Sequence, residues 1–151
     1  MKVGHLFLSF QGRIGRLQFW IGTVVVTAIE LALQWMLGIP ITGDTPDLRL
    51  RAITFAIGLV SMYPTAAIAA KRLHDRGQPT TYVWLLVAAL AVAMVGDLLG
   101  YFDDAAHVTL ASGIAMGFVV VVCLAFLVEL GFRRGVAGPN QYGPDPLDRG
   151  T

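Results

Sequence analysis

Residues 108–130 read VTLASGIAMGFVVVVCLAFLVEL, an apolar stretch broken only by small polar residues and by Glu129 at its end. A helix rises 1.5 Å per residue, so about 20 residues cross a hydrocarbon layer of about 30 Å, and this stretch is long enough. Three more of the kind precede it, at residues 19–38, 52–70 and 82–100. Composition agrees: 56% of the 151 residues are hydrophobic and 14% charged, where soluble domains carry roughly 25% charged. Hydrocarbon offers backbone N–H and C=O groups no partner, and the ~10-residue alternation of a lipid-facing barrel is absent, so helices are the solution. The predicted fold is therefore an all-α membrane protein with four transmembrane helices. It forms a single membrane domain over residues 1–151, with an interfacial segment at 1–18 and a Gly/Pro-rich cytoplasmic tail at 131–151. The first run is longer than a signal-peptide core, contains Glu30 and Gln34, and has no Ala-x-Ala-like site after it, so it reads as a span.

The net charge of +1 conceals an asymmetry. Lys2, Arg13, Arg16, Lys71, Arg72, Arg76, Arg133, Arg134 and Arg149 fall on one side of the four spans, and only Arg49 and Arg51 on the other. Asp44, Asp47, Asp103 and Asp104 occupy that second side. The positive-inside rule then places both termini and the loop after the second span in the cytoplasm, and Gly43 and Asp103 outside. Basic residues at the feet of helices serve topology and anionic headgroups, so nucleic acid is not an expected partner. Cys123 stands alone, which excludes an intramolecular disulfide and a thiolate cluster. His5, His74 and His107 cannot form a zinc site, because His107 belongs to the other side. No metal-ligand set and no cofactor motif is found.

Within the spans, Pro64 should kink the second, Gly113 and Gly117 offer a small-xxx-small surface for close helix approach, expected to pack inside the bundle ahead of a homodimer contact, and Phe19, Trp20, Tyr82 and Trp84 read as interfacial anchors. In the first segment Phe7, Phe10, Ile14 and Leu17 would share one face of a helix, whereas Gly12 and Gly15 favour a turn before the first span, with Gly15 as N-cap and Arg16 opening the helix. The last segment, from Gly135 to Pro146, is too rich in Gly and Pro for a helix but places Asn140, Tyr142 and Asp145 along a turn-prone backbone.

Three motifs occur in order: Phe10-x-Gly12-Arg13-x-x-Arg16-x-x-Phe19-Trp20, then Pro64 followed by Lys71-Arg72-Leu73-His74-Asp75-x-Gly77, then Gly138-x-Asn140-x-Tyr142-Gly143-x-Asp145-Pro146. Together they resemble the domain of unknown function 805 family, the YhaH-like small bacterial inner-membrane proteins, over nearly the whole chain. The resemblance implies an integral membrane protein of the bacterial cytoplasmic membrane and brings no established activity. Where the family commonly has Ser-Gly and then tryptophan, this chain reads Gln78-Pro79-Thr80-Thr81-Tyr82, and Gly15 stands where Ser or Asn is frequent.

All three motifs fall at the cytoplasmic interface, so Arg13, Arg16, Arg72, His74, Asp75, Asn140, Tyr142 and Asp145 form one candidate cluster. Its first reading is a structural clasp in which carboxylates and carbonyls satisfy arginines. Its second is a site for an anionic lipid headgroup or phosphate, with arginines as bidentate donors. Catalysis by His74 with Asp75 comes third, because adjacent helical residues point about 100° apart and no nucleophile accompanies them; no catalytic residue is assigned. Glu30 is expected near mid-bilayer with Gln34 one turn later, where an ionised, lipid-facing carboxylate costs on the order of 2.5–3.5 kcal/mol. It should face the bundle. The expected function is a structural or binding module that contacts membrane lipid, a protein partner or another copy of itself. The alternatives are a small transporter or channel subunit using Glu30 and, behind it, an enzyme acting on a lipid-linked substrate.

Overall fold

The computed structural model describes residues 3–40, 47–101 and 109–148. Lys2, Gly43, Asp44, Asp103, Asp104, His107, Val108 and Arg149 lie outside the described residues. Four helices are long and apolar enough to cross a membrane, as a multi-pass membrane protein requires. They are α2 (Arg16–Met36), α3 (Leu48–Asp75), α4 (Val83–Leu98, entered through a 3₁₀ turn at Thr80–Tyr82) and α5 (Leu110–Phe126, continued by a π-helical segment Leu127–Phe132). A short α1 (Val3–Leu8) precedes them and packs on α3.

Each terminus has a local cause. α2 starts at Arg16 because the Gln18 carbonyl accepts from Gly15 N–H at 3.1 Å, satisfying a donor left over at the helix start. Asp47 caps α3 by accepting from Arg49 N–H at 2.8 Å. At its other end α3 outruns the expected boundary at residue 70: Lys71 to Asp75 form its last turn, not a loop. It stops at Gly77, whose φ of +70° lets Gln78 N–H reach Leu73 C=O at 2.9 Å and Gly77 N–H reach His74 C=O at 3.0 Å, the Schellman closure. α3 runs through Pro64 without interruption.

α3 is central, flanked by α2 and α4, and α4 in turn packs on α5. α2 meets the last helix through the π-helical segment, where Trp20 Nε1 donates to Gly131 C=O at 3.2 Å. A Cβ on Gly131 would lie 2.7 Å from Trp20 Cζ2, so glycine is what admits the ring. The helices therefore close on one another most tightly at the basic end, where Ile14, Phe19, Ile68, Leu73 and Leu130 share one core. Along the spans the helices keep most of their apolar surface outward, with 17–22% of the apolar window of each buried inside the molecule.

Three expectations are corrected. Phe19 is buried and Trp20 packs on Gly131, so they hold helices together, whereas Trp84 (70% exposed) and Tyr82 (52% exposed) face outward as anchors should. Gly113 and Gly117 are exposed, and a Cβ on Gly117 would meet nothing within 4 Å, so their face is not packed inside the bundle. Phe7, Phe10, Ile14 and Leu17 do not share a helical face, because α1 ends at Leu8 and the chain turns at Gly12. Ile14 is consequently buried while Leu17 is exposed.

A buried cation cluster under the bundle

Asp75 ends α3 with its carboxylate between two guanidinium groups. Arg13 Nε and Nη2 donate to Oδ1 at 3.2 and 3.0 Å, and Arg72 Nη1 donates to Oδ2. All three side chains are 5% exposed or less. One carboxylate cannot satisfy two guanidinium groups, which carry five N–H donors each. Backbone carbonyls take up the remainder. Arg13 donates to Gly138 at 2.7 Å, Val136 at 2.6 Å and Gly143 at 3.3 Å, and Arg72 to Leu130 at 2.8 Å, Arg133 at 2.6 Å and Ile14 at 3.4 Å.

These carbonyls are not arbitrary. The last four C=O groups of any helix lack partners within it, and its C-terminal end carries partial negative charge. At the end of the π-helical segment, Leu130 accepts from Arg72, Gly131 from Trp20 and Phe132 from Arg16 at 3.4 Å, and just beyond it Arg133 accepts from Arg72 and Arg134 from Arg76. Lys71, 0% exposed, does the same for α1: its ammonium donates to His5 and Ser9 C=O at 2.7 Å each and to Leu6 C=O. A charge that would otherwise be costly to bury is thereby matched by oriented dipoles. Arg76 and Arg133 also hold Glu129, at 2.9 and 2.6 Å.

His74 points away from Asp75, as the angle between neighbouring helical side chains requires. Its Nδ1 lies 3.1 Å from Gly12 C=O and its Nε2 2.7 Å from Thr80 Oγ1. A carbonyl can only accept, so Nδ1 carries a proton and donates to Gly12, while the Thr80 hydroxyl, which can donate or accept, pairs with Nε2. Tyr142 stacks on the imidazole with centroids 3.9 Å apart and planes 3° from parallel. Asn140 pins this turn of the tail, donating to His74 C=O at 2.9 Å and accepting from Tyr142 N–H at 2.9 Å. Asp145 folds back on the tail itself, accepting from Leu147 N–H and Gly138 N–H at 2.9 Å each. Those two backbone donors hold its carboxyl below the usual carboxylate range.

Six of the eight candidate residues thus form two groups, Arg13 with Arg72 and Asp75, and His74 with Asn140 and Tyr142, joined at Gly143 C=O, which accepts from Arg13 and from Asn140 N–H. Asp145 supports this network through Gly138, and Arg16 stands at its exposed edge. Lys71, a basic residue of the same cytoplasmic face, belongs to the same construction, and so do Trp20, Glu129, Thr80 and Gly135, which the sequence does not mark as site residues. The Arg72 and Asp75 pairing follows i,i+3 helical spacing and becomes visible once the motif is read as helix.

Beside the network lies a cleft of about 750 Å³ between residues 15–18 and the tail at residues 134–137 and 145–147, with Arg72 and Asp75 at its floor. Leu17 and Leu147, 72% and 79% exposed, border it. So do Arg16 and Arg134, both exposed; among the described residues Arg134's guanidinium has no partner. Glu30 is elsewhere, in α2, where Ser61 Oγ of α3 donates to Oε1. It sits 14 residues past Arg16 and 6 before Met36, about two-thirds of the way along the helix and not at its middle. The Gln34 side chain does not join that bond.

The family model described as a protein of unknown function (DUF805) matches residues 7–144. The protein named "Uncharacterized protein YiiR" of Escherichia coli (strain K12) is 29% identical over 150 residues, covering 98% of this chain and 92% of that protein. The protein of the same name from Escherichia coli O157:H7 matches with the same figures. No solved structure matches the chain. The match includes all three motifs that converge on Asp75 apart from its last two residues, Asp145 and Pro146, and on it the chain belongs to the DUF805 family.

Proposed function

We propose that the protein is a bacterial inner-membrane binding module, with both termini cytoplasmic, whose underside cleft holds the phosphate of an anionic lipid. The observation that carries this reading is a division of labour among the cations. Arg13, Lys71 and Arg72 are buried and spent on Asp75 and carbonyls, so they hold the fold together. Arg16 and Arg134 remain at the mouth of the cleft, next to the exposed apolar Leu17 and Leu147. Cations for a phosphate beside apolar surface for the first methylenes of a chain are what a lipid at the interface requires.

Purified protein in nanodiscs is expected to retain phosphatidylglycerol in preference to phosphatidylcholine, as read by native mass spectrometry after partial delipidation. Each basic residue near the surface is worth about 1 kcal/mol, so Arg16→Gln with Arg134→Gln should weaken that retention by roughly tenfold or more, and Arg49→Gln at the opposite end should not. Equal retention of both lipids, or a double variant that binds as the unaltered protein does, would refute the site. For the orientation, a reporter active only in the periplasm should be silent when fused after Thr151; activity there would invert it.

A further inference from the structure

Between α2, α3 and α4, within the spans, lies a second and smaller cavity of about 270 Å³. Its polar lining consists of Glu30, Ser61, Thr23, Thr27 and Thr65, all oxygen groups, and Glu30 is the single titratable side chain among the described residues that line it. Thr23, Thr27 and Glu30 recur at i, i+4 and i+7 on α2, and Gly58, Ser61 and Thr65 at i, i+3 and i+7 on α3, so two helix faces present their oxygens to one space.

Two observations separate this arrangement from ordinary interhelical hydrogen bonding. First, the Glu30 carboxyl needs one partner and has it in Ser61. The Ser61 hydroxyl also lies 3.2 Å from both Ile57 and Gly58 C=O, so it can donate to a carbonyl and turn its lone pairs toward the cavity. Second, Thr65 follows the usual habit of a membrane helix, donating to Ser61 C=O at 2.8 Å, while the hydroxyls of half-buried Thr23 and exposed Thr27, which also line the cavity, have no hydrogen-bond partner among the described residues and stay open to a ligand. A proton on Glu30 would satisfy the carboxyl and Ser61 and do nothing for those two threonines. No basic side chain lines the cavity to balance an ionised Glu30.

We propose that this cavity is a binding site for a small alkali cation, Na⁺, held by the Glu30 carboxylate and the hydroxyls of Ser61, Thr23 and Thr27. A hard cation takes oxygen ligands, one unit of positive charge cancels the single carboxylate inside the membrane, and the volume admits the ion with several waters at about 30 Å³ each. The site is independent of the cleft under the bundle.

The purified protein in detergent should unfold at a higher temperature in NaCl than in choline chloride of equal ionic strength, and the rise should saturate with Na⁺ concentration. Glu30→Gln, which keeps shape and hydrogen bonding, should abolish the difference. Thr23→Val with Thr27→Val, near-isosteric and without hydroxyls, should raise the Na⁺ concentration for half-effect by tenfold or more. Equilibrium dialysis against ²²Na⁺ should find about one ion per chain. Identical unfolding in Na⁺ and choline overturns the proposal, as does a Na⁺ effect undiminished in Glu30→Gln. A response to pH with none to Na⁺ overturns it too, leaving Glu30 a proton site. Should Glu30→Gln fail to fold, the threonine pair and the dialysis decide alone: half-effect unchanged, or no bound ²²Na⁺, refutes it.

Discussion

Asp75→Ala is expected to destabilise the protein by about 3–5 kcal/mol, the loss that follows when one partner of a buried ion pair is removed and the other stays buried without compensation. Here two guanidinium groups are left, those of Arg13 and Arg72, each 1% exposed. Unfolding in mixed micelles against SDS mole fraction measures the loss. Because Arg13 and Asp75 share one interaction, Arg13→Met combined with Asp75→Ala should cost less than the sum of the single changes, by roughly 0.5–3 kcal/mol. A loss below about 1 kcal/mol, or strict additivity, would show that the carboxylate does not hold the two arginines.

Gly135→Ala is the second large effect. A Cβ at this position would overlap the Asp75 carboxylate, which is pinned from both sides and has nowhere to retreat. Overpacking of this kind costs about 1–3 kcal/mol. Gly117→Ala, where a Cβ meets open space, serves as the contrast and should be neutral or favourable by up to about 1 kcal/mol, the helical advantage of alanine. The decisive comparison is made in the Asp75→Ala background, where the obstructing carboxylate is gone and Gly135→Ala should lose most of its effect. An equal cost in both backgrounds would mean that Gly135 acts through something other than this close approach.

The four spans were legible because lipid imposes a coarse rule of length and apolarity, and residues 19–38 and 82–100 lie within two or three residues of α2 and of the Thr80–Leu98 span. The end of α3 was misplaced for a specific reason. Lys71, Arg72, His74 and Asp75 look like a loop to any rule that assigns charge to water, whereas each is buried with its partners supplied. The convergence of the three motifs could be anticipated from topology, but the identity of the partners could not. Most acceptors of Arg13, Lys71 and Arg72 are backbone carbonyls, and every residue type has one, so no pattern in the sequence marks them. Asp145 differs for the same reason: a carboxylate in a basic neighbourhood is expected to satisfy arginines, and it instead caps its own turn. Nothing in the sequence marks Thr23 and Thr27, because threonine in a membrane helix usually bonds its own backbone, and among the described residues these two have no such bond.

The distance along the chain between the cations and their acceptors has a consequence for how the molecule is made. Arg13 and Arg72 find their carbonyls 58 to 130 residues downstream, in α5 and the tail, apart from Ile14. Until that last portion has been made and has entered the membrane, Arg13, Arg72 and Asp75 have one another but lack most of their carbonyl acceptors, and the end of α3 cannot be sealed. The underside is closed only once α5 and the tail have been made, so a chain cut short after the third span leaves Arg13 and Arg72 short of acceptors at the very place where the full bundle is most tightly held.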